Sequence, residues 1–471
     1  MPSRNRIFIY AYIALGIVMG AVYLALGIRF DGDPRTTAPV EAIAELGERT
    51  DLNVIFILVD TLRAERLSAY GYGRETSQNI DQLAETGILF AHHLAQSSWT
   101  KASMASLWTG LYPIRTGVVR YPHALTEGAR LPAEIMREEG FRTAALWRNG
   151  WVAPNFGFSQ GFETYQRPRP QTLSPDIQRK NPWITLEGSD TDVIRSAREF
   201  FRTHSNEKFF LYLHLMDVHQ YLYDIDSALF GTRYSDAYDN SIHTLDRLLG
   251  ILLQDLNDRG LRDRTVIALA SDHGEAFGEH GREGHAHDVY SESTHVPFII
   301  GLPFRLDEGI VIESTSANVD IWPTLLDILG LPGLTDPDGQ SLLPEILSEK
   351  TVPTEAAPTK AEEERKIFAQ IDQTWGRTDK DPRRMIAMTQ GPWRYVHYPE
   401  NPERDALFNL ESDPLEKKNL VGASSRRAEL FQKETNLYLE SPSPPWGEGT
   451  PTVELDHMQL NQLRALGYAI E

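Results

Sequence analysis

The sequence predicts an α/β protein with a largely parallel central sheet flanked by helices, a small C-terminal antiparallel α+β subdomain, and one N-terminal transmembrane helix. Three observations predict it. Asn53-Val54-Ile55-Phe56-Ile57-Leu58-Val59-Asp60 is a continuous apolar run ending in a carboxylate, the pattern of a strand buried on both faces. Thr265 to Ala270 repeats the design and runs into Ser271-Asp272-His273-Gly274-Glu275. Between and beyond these runs, strand-length apolar stretches alternate with helix-length segments, as in sheets covered on both faces.

Taken in order, the chain opens with Arg4 and Arg6 before an uncharged apolar stretch from Ile7 to Ile28. As a helix it rises about 33 Å at ~1.5 Å per residue, enough to cross a hydrocarbon core of about 30 Å. It is longer than a signal-peptide core and no clear small-x-small cleavage site follows, so it reads as an uncleaved anchor. The preceding arginines put the amino end in the cytoplasm and everything after about Arg29 outside it. Residues 1–30 are therefore expected as the anchor and 31–51 as a tether. A catalytic domain follows over 52–349, with strands at Val54 to Asp60, Arg142 to Trp147, Phe209 to Leu215, Thr265 to Ala270 and Val296 to Gly301. The Pro-rich run Gln166 to Trp183 is too irregular for core and reads as a lid. Residues 350–366, rich in Pro, Thr, Ala and Glu, read as a linker. Over 367–471, short alternating stretches at Ile367 to Ile371, Met385 to Thr389 and Trp393 to Tyr398 predict strands, and Ser424 to Leu439 a helix.

Composition bounds the function. With 471 residues, 41% of them hydrophobic, the chain can build one large domain and a smaller one. A formal charge of −20 disfavours nucleic acid and anionic surfaces as non-specific partners. There is no cysteine, which removes thiol nucleophiles and disulfides.

Chemistry concentrates at the ends of the apolar runs. Binding sites of open α/β sheets lie at the carboxyl edge of the strands, where Asp60 and Asp272-His273 are expected. Ser97-Ser98-Trp99-Thr100 precedes a small-residue helix, Lys101 to Trp108, stopped by Thr109-Gly110. A hydroxyl there meets free backbone N–H groups and the positive end of the dipole, a setting that suits a tetrahedral oxyanion. Capping residues are commonplace, so Thr100 gains weight only from partners. Two strand ends carrying Asp and Asp-His, with this hydroxyl, make a divalent-metal site of mixed oxygen and nitrogen donors. A further apolar run, Leu211 to Met216, leads to Asp217-Val218-His219, making His219 a donor to a substrate oxygen or a leaving-group acid. Lys101, beside Thr100, and Asn149, in Leu146-Trp147-Arg148-Asn149-Gly150, are further candidates for substrate binding.

These motifs together resemble the sulfatase family of the alkaline phosphatase superfamily, from about Asn53 to the C-terminus. The resemblance rests on Val59-Asp60-Thr61-Leu62-Arg63, Asn79-Ile80-Asp81-Gln82-Leu83-Ala84, Ser97 to Pro113, Asp272-His273-Gly274-Glu275, Gly278-Glu279-His280-Gly281, His295-Val296-Pro297-Phe298 and Leu407-Phe408-Asn409-Leu410. It implies one divalent ion (Ca, Mn, Mg or Zn) on Asp60, Thr100, Asp272 and His273, and a substrate contact from His285. Many relatives carry a second Asp where Thr61 stands. Thr100 occupies the place of the Cys or Ser nucleophile, Ala102 and Met104 replace the Pro and Arg of that motif, and Leu111 replaces an Arg. Threonine cannot become formylglycine, but its hydroxyl can attack phosphorus or sulfur in line. The resemblance therefore implies a hydrolase or transferase of sulfate or phosphate/phosphonate esters carried by a glycan, lipid or small molecule, working outside the cytoplasm. The missing Arg and Pro also admit a catalytically weak homologue that binds an anionic glycan or lipid head group.

Overall fold

The computed structural model describes residues 33–170, 188–348, 365–374, 377, 380–440, 444–447 and 449–454. It divides into two compact units, Met1–Thr36 and Thr37–Glu471, and all that follows concerns the second. The anchor expected over 7–28 lies outside the described residues, as do most of the expected lid and linker. Among the described residues no helix is long and apolar enough to cross a membrane.

An eight-stranded sheet forms the centre. Its strands are β1 (Asn53–Val59), β2 (Ile88–Leu94), β3 (Arg142–Leu146), β4 (Thr164–Gln166), β5 (Phe209–Leu215), β6 (Thr265–Ala270), β9 (Phe298–Gly301) and β10 (Ile310–Ala317). A two-stranded hairpin, β7 (Ala276–Phe277) and β8 (Glu283–Gly284), interrupts the series. The spatial order is β10-β2-β9-β6-β1-β5-β3-β4. Every adjacent pair is parallel except those of β9, which runs antiparallel to both β2 and β6. The sheet is thus mixed. The apolar run Val296 to Gly301 holds a shorter strand than expected, and hydrophobicity alone cannot tell a strand's direction.

β1, β5 and β6 are buried along their whole length, which explains their unbroken apolar sequences. Register puts Leu58 of β1 opposite both His214 of β5 and Ala270 of β6. The segments leaving these strands, and the one leaving β3, therefore emerge along one edge.

On one face the Thr100–Thr109 helix is buried at every residue. Its small side chains Ala102, Ser103, Ala105 and Ser106 let it lie close to its neighbours. Trp108 fills the remaining space, stacking on Trp322 at 5.1 Å and meeting Phe56 edge-on at 5.7 Å. Gly110, at φ 69°, caps the helix in the left-handed region, where a side chain would be strained. The other face is covered by Asp190–His204 and Tyr234–Asp258.

The C-terminal sheet is an antiparallel meander, β11 (Ile367–Asp372), β12 (Arg384–Gln390), β13 (Trp393–His397) and β14 (Ala406–Asn409). The helix Ser425–Leu439 packs Ala428 and Phe431 against Met388, Tyr395 and Leu407. Backbone N–H of Gln370 donates to Gln96 O at 2.8 Å, and Arg394 donates to Thr294 Oγ1 at 2.6 Å. These bonds attach the small sheet beside the loop that carries His285.

Candidate active site and metal centre

Asp60 follows the last residue of β1, Asp272 and His273 follow β6, and Asn149 follows β3. All four side chains are buried. Thr100 is the first residue of its helix, and Trp99 is the N-cap, without a side-chain capping bond. The Thr100 hydroxyl is not used as a cap. It lies 3.1 Å from His273 Nε2 and 3.4 Å from Asn149 Nδ2. Ser103, one turn on, donates to Asp272 O at 2.5 Å, tying the helix to the segment after β6.

The donor set is oriented from outside. His273 Nδ1 donates to Gly274 O at 2.9 Å, which leaves Nε2 as the lone-pair nitrogen facing the site. Asp60 Oδ2 accepts from Asn149 Nδ2 at 2.6 Å and meets His214 Nε2 at 3.1 Å, and His214 Nδ1 is 2.6 Å from Tyr212 OH. Asp272 Oδ1 accepts from the backbone N–H of Thr61 at 3.3 Å and of His273 at 3.0 Å. Asp60 Oδ1 and Asp272 Oδ2 are left buried with no hydrogen-bond partner among the described residues. They lie 3.9 Å and 3.4 Å from His273 Nε2.

Two unpartnered carboxylate oxygens beside a lone-pair nitrogen constitute a site short of positive charge. Asp60, Asp272 and His273 bring one donor atom each within 4.8 Å of one another, and Thr100 Oγ1 adds a fourth. This set fits a divalent cation of mixed oxygen and nitrogen preference. Electrostatics agree. Burial works to raise the carboxyl of Asp60, but His219, His214 and His273 hold it well below the usual carboxylate range. Burial and the neighbouring Asp60 push Asp272 the other way.

His219 is half-buried with both ring nitrogens shielded from solvent, and neither nitrogen finds a partner among the described residues. Its ring centroid is 4.9 Å from that of His285, which is 4.7 Å from that of His273. Burial lowers the pKa of His219 to about 4 despite Asp60. Burial also opposes protonation of His285, but Glu275, 2.7 Å from its Nδ1, raises it above the ordinary value. Tyr221 donates to the second Glu275 oxygen at 2.9 Å. The structure thus brings His219 and His285 to the mouth of the donor set.

Lys101 is placed differently. Its ammonium lies 4.0 Å from the centre of the Phe156 ring, 4.9 Å from that of Trp151 and 5.4 Å from that of Trp99, and donates to Tyr121 O. Burial holds its pKa well below the usual value. It braces the helix start against the segments 121 and 151–156. The structure does not bring it together with the donors.

Thr61, at φ 63°, turns its hydroxyl back onto Asp60 O at 2.6 Å. Three contributors escaped sequence reasoning. His214 sits inside an apolar strand, where a single imidazole in Leu211-Tyr212-Leu213-His214-Leu215 was the available signal. Glu275 stands two places after His273. Arg148 is buried, donating to Asp190 at 2.6 Å, Asp217 at 2.5 Å and Gln220 at 2.8 Å. It thereby joins the loop holding Asn149 to the loop holding His219.

This geometry coincides with a match to the family model described as Sulfatase, over residues 52–331. The chain belongs to the sulfatase family. That membership makes it a sulfatase-like ester hydrolase. Residues 278–438 also match the model described as N-sulphoglucosamine sulphohydrolase, C-terminal. Among relatives, arylsulfatase K of Xenopus laevis is 23% identical, over 83% of this chain and 83% of that protein. The ulvan-active sulfatase of Formosa agariphila is 24% identical, over 81% and 80%. The fold is shared with the phosphonate monoester hydrolase of Agrobacterium radiobacter, at a TM-score of 0.61 and 20% identity, over 83% of this chain and 95% of that one.

Proposed function

We propose that this sulfatase-family enzyme cleaves or transfers sulfate, phosphate or phosphonate ester groups with Thr100 as its nucleophile. The observation that carries the reading is the Thr100 hydroxyl, released from capping and held 3.1 Å from His273 Nε2 beside two unpartnered carboxylate oxygens. One divalent ion on Asp60, Thr100, Asp272 and His273 would supply Lewis acidity toward the transferred group.

The chain's own residues supply the rest. Thr100 Oγ1 forms the new bond to sulfur or phosphorus while the bond to the ester oxygen breaks. The backbone N–H groups opening the Thr100–Thr109 helix face the developing oxyanion. His285, whose protonated form Glu275 favours, binds a non-bridging oxygen, and His219 donates its N–H toward the departing oxygen. Water or an acceptor hydroxyl then breaks the threonine ester, giving hydrolysis or transfer. The phosphonate hydrolase that shares the fold and the absence of formylglycine chemistry at Thr100 favour phosphoryl-type esters.

The substrate proposed is an anionic glycan, lipid or small-molecule ester met outside the cytoplasm, with the chain anchored through residues 7–28. A reporter fused after Glu471 is then expected outside the cytoplasm in a membrane-bound protein. Soluble protein beginning near Phe30 contradicts the anchor. For the chemistry, aryl sulfate, phosphate, phosphodiester and phosphonate esters are assayed with several divalent ions, on wild type and Asp272→Asn. Loss of both metal binding and turnover in the variant is expected. Full metal occupancy in Asp272→Asn removes the assignment.

A further inference from the structure

The chain carries 66 acidic and 46 basic side chains, so a place where arginines outnumber carboxylates runs against its overall charge. One such place is a cavity of about 750 Å³ between the loop at 282–287 and the C-terminal sheet. That volume falls within the range of about 300–1,000 Å³ typical of small-molecule sites, far more than a lone oxyanion needs. Arg282, Arg383, Arg384 and Arg404 line it, against Glu400 and Glu403.

Among the described residues, only one of these arginines is engaged in an ion pair. Arg384 Nε meets Glu400 Oε1 at 2.7 Å. The guanidinium carbon of Arg404 lies over the Tyr398 ring, 4.3 Å from its centre. A guanidinium held against an aromatic ring still has N–H groups with which to meet an anion. The exposed guanidinium groups of Arg282 and Arg383 have no carboxylate partner among the described residues.

The cavity and the active site share a wall. Arg282 and His287 bracket His285, whose ring faces His273. Three residues of chain span at most about 10 Å, so the backbone of Arg282 lies within that distance of the backbone of His285. Gln373, also in the lining, donates to His287 O at 2.8 Å and fixes the loop to β11 and its following turn. Among the described residues no aliphatic side chain lines the cavity. Its walls offer guanidinium, amide and hydroxyl groups, which suit a hydroxyl-rich ligand and have nothing to hold an acyl chain.

We propose that this cavity is a substrate subsite for a second anionic group of a glycan, so that the ester presented to Thr100 belongs to a polyanionic saccharide. The proposal rests on the reading of Thr100 as the reacting oxygen. Arg282, Arg383 and Arg404 bind the distal sulfate or carboxylate through paired N–H groups, and their spacing from His285 sets which ester of the chain reaches the nucleophile.

The test is direct binding, which needs no turnover. Fluorescein-labelled dextran sulfate oligomers, oligogalacturonate and neutral dextran are titrated with the full chain at fixed ionic strength, followed by anisotropy. The comparison covers wild type, Arg282→Gln/Arg383→Gln/Arg404→Gln and Glu403→Gln, with thermal melts confirming that each variant folds. Loss of about tenfold or more in affinity for an anionic oligomer in the triple variant is expected, as guanidinium–oxyanion pairs are strong. Glu403→Gln, which removes a negative charge from the wall, is expected to bind more tightly. The sulfate and carboxylate oligomers reveal which anion the site prefers, and binding of either with this dependence supports it. Equal affinity in wild type and triple variant overturns the subsite, as does equally tight binding of neutral dextran. Vesicles of phosphatidylglycerol form a further arm, and arginine-dependent binding confined to them overturns the glycan assignment. Turnover in Thr100→Ala is scored separately, so failure of the nucleophile and failure of the subsite give different results.

Discussion

Replacing Asn149 with alanine tests how far the candidate site depends on groups outside the donor set. Asn149 Nδ2 donates to Asp60 Oδ2 at 2.6 Å, and its Oδ1 accepts the Trp151 N–H at 2.8 Å. A hydrogen bond to a charged group contributes about 1.5–3 kcal/mol. At about 1.4 kcal/mol per factor of ten, Asn149→Ala lowers kcat/KM by roughly 10- to 150-fold through misorientation of Asp60. Asn149→Asp is worse than alanine, because it sets a third carboxylate against Asp60 and Asp272 in a buried site. The assay is kcat/KM on the best aryl ester, with metal affinity measured in parallel and melting curves to separate unfolding from misalignment. A folded Asn149→Ala chain with wild-type kcat/KM and metal affinity refutes the claim that Asn149 orients the donors.

Two further outcomes concern stability. Asp246 accepts the N–H groups of Asn79 and Ile80 at the start of the Gln78–Glu85 helix, and burial raises its pKa to about 6. Its contribution is therefore fully present below about pH 4 and lost as pH rises through about 6. Asp246→Asn removes that dependence, so denaturation midpoints at pH 5 and pH 8 should differ less in the variant than in wild type. Arg148→Ala leaves Asp190 and Asp217 buried without their cation, an arrangement that costs about 3–5 kcal/mol. Melting curves should show strong destabilisation, and the less disruptive Arg148→Lys should lower kcat more than it raises KM, as Asn149 and His219 lose alignment.

The parts of the fold legible in the sequence were those whose burial is uniform. β5 and β6 span Phe209–Leu215 and Thr265–Ala270, the expected limits, because both faces are covered and every residue is apolar enough to show it. β10 was missed: its residues alternate between buried and exposed, and its sequence Ile310-Val311-Ile312-Glu313-Ser314-Thr315 carries little contrast with a loop. The direction of β9 depends on where the chain returns, which no local pattern encodes. At the site, Asp60 and Asp272-His273 were readable because each ends an apolar run. His214 acts from the middle of such a run, and its contact with Asp60 exists only through the β1–β5 register. Lys101 illustrates the opposite case. Adjacency to Thr100 suggested a ligand contact, but successive helix residues point about 100° apart, and the cage of Trp99, Trp151 and Phe156 collects the ammonium.

The central claim is that Thr100 is the oxygen that forms the covalent bond. Wild-type enzyme quenched during turnover of its best phosphoryl-type ester, then digested and analysed by mass spectrometry, is expected to carry the transferred group on Thr100. Thr100→Ala should fold, form no adduct and lose at least about three orders of magnitude in rate, the scale of nucleophile deletion, while Thr100→Ser keeps part of the activity. Near wild-type turnover by Thr100→Ala, with no adduct on Thr100 in the wild type, contradicts the account and leaves water as the attacking group.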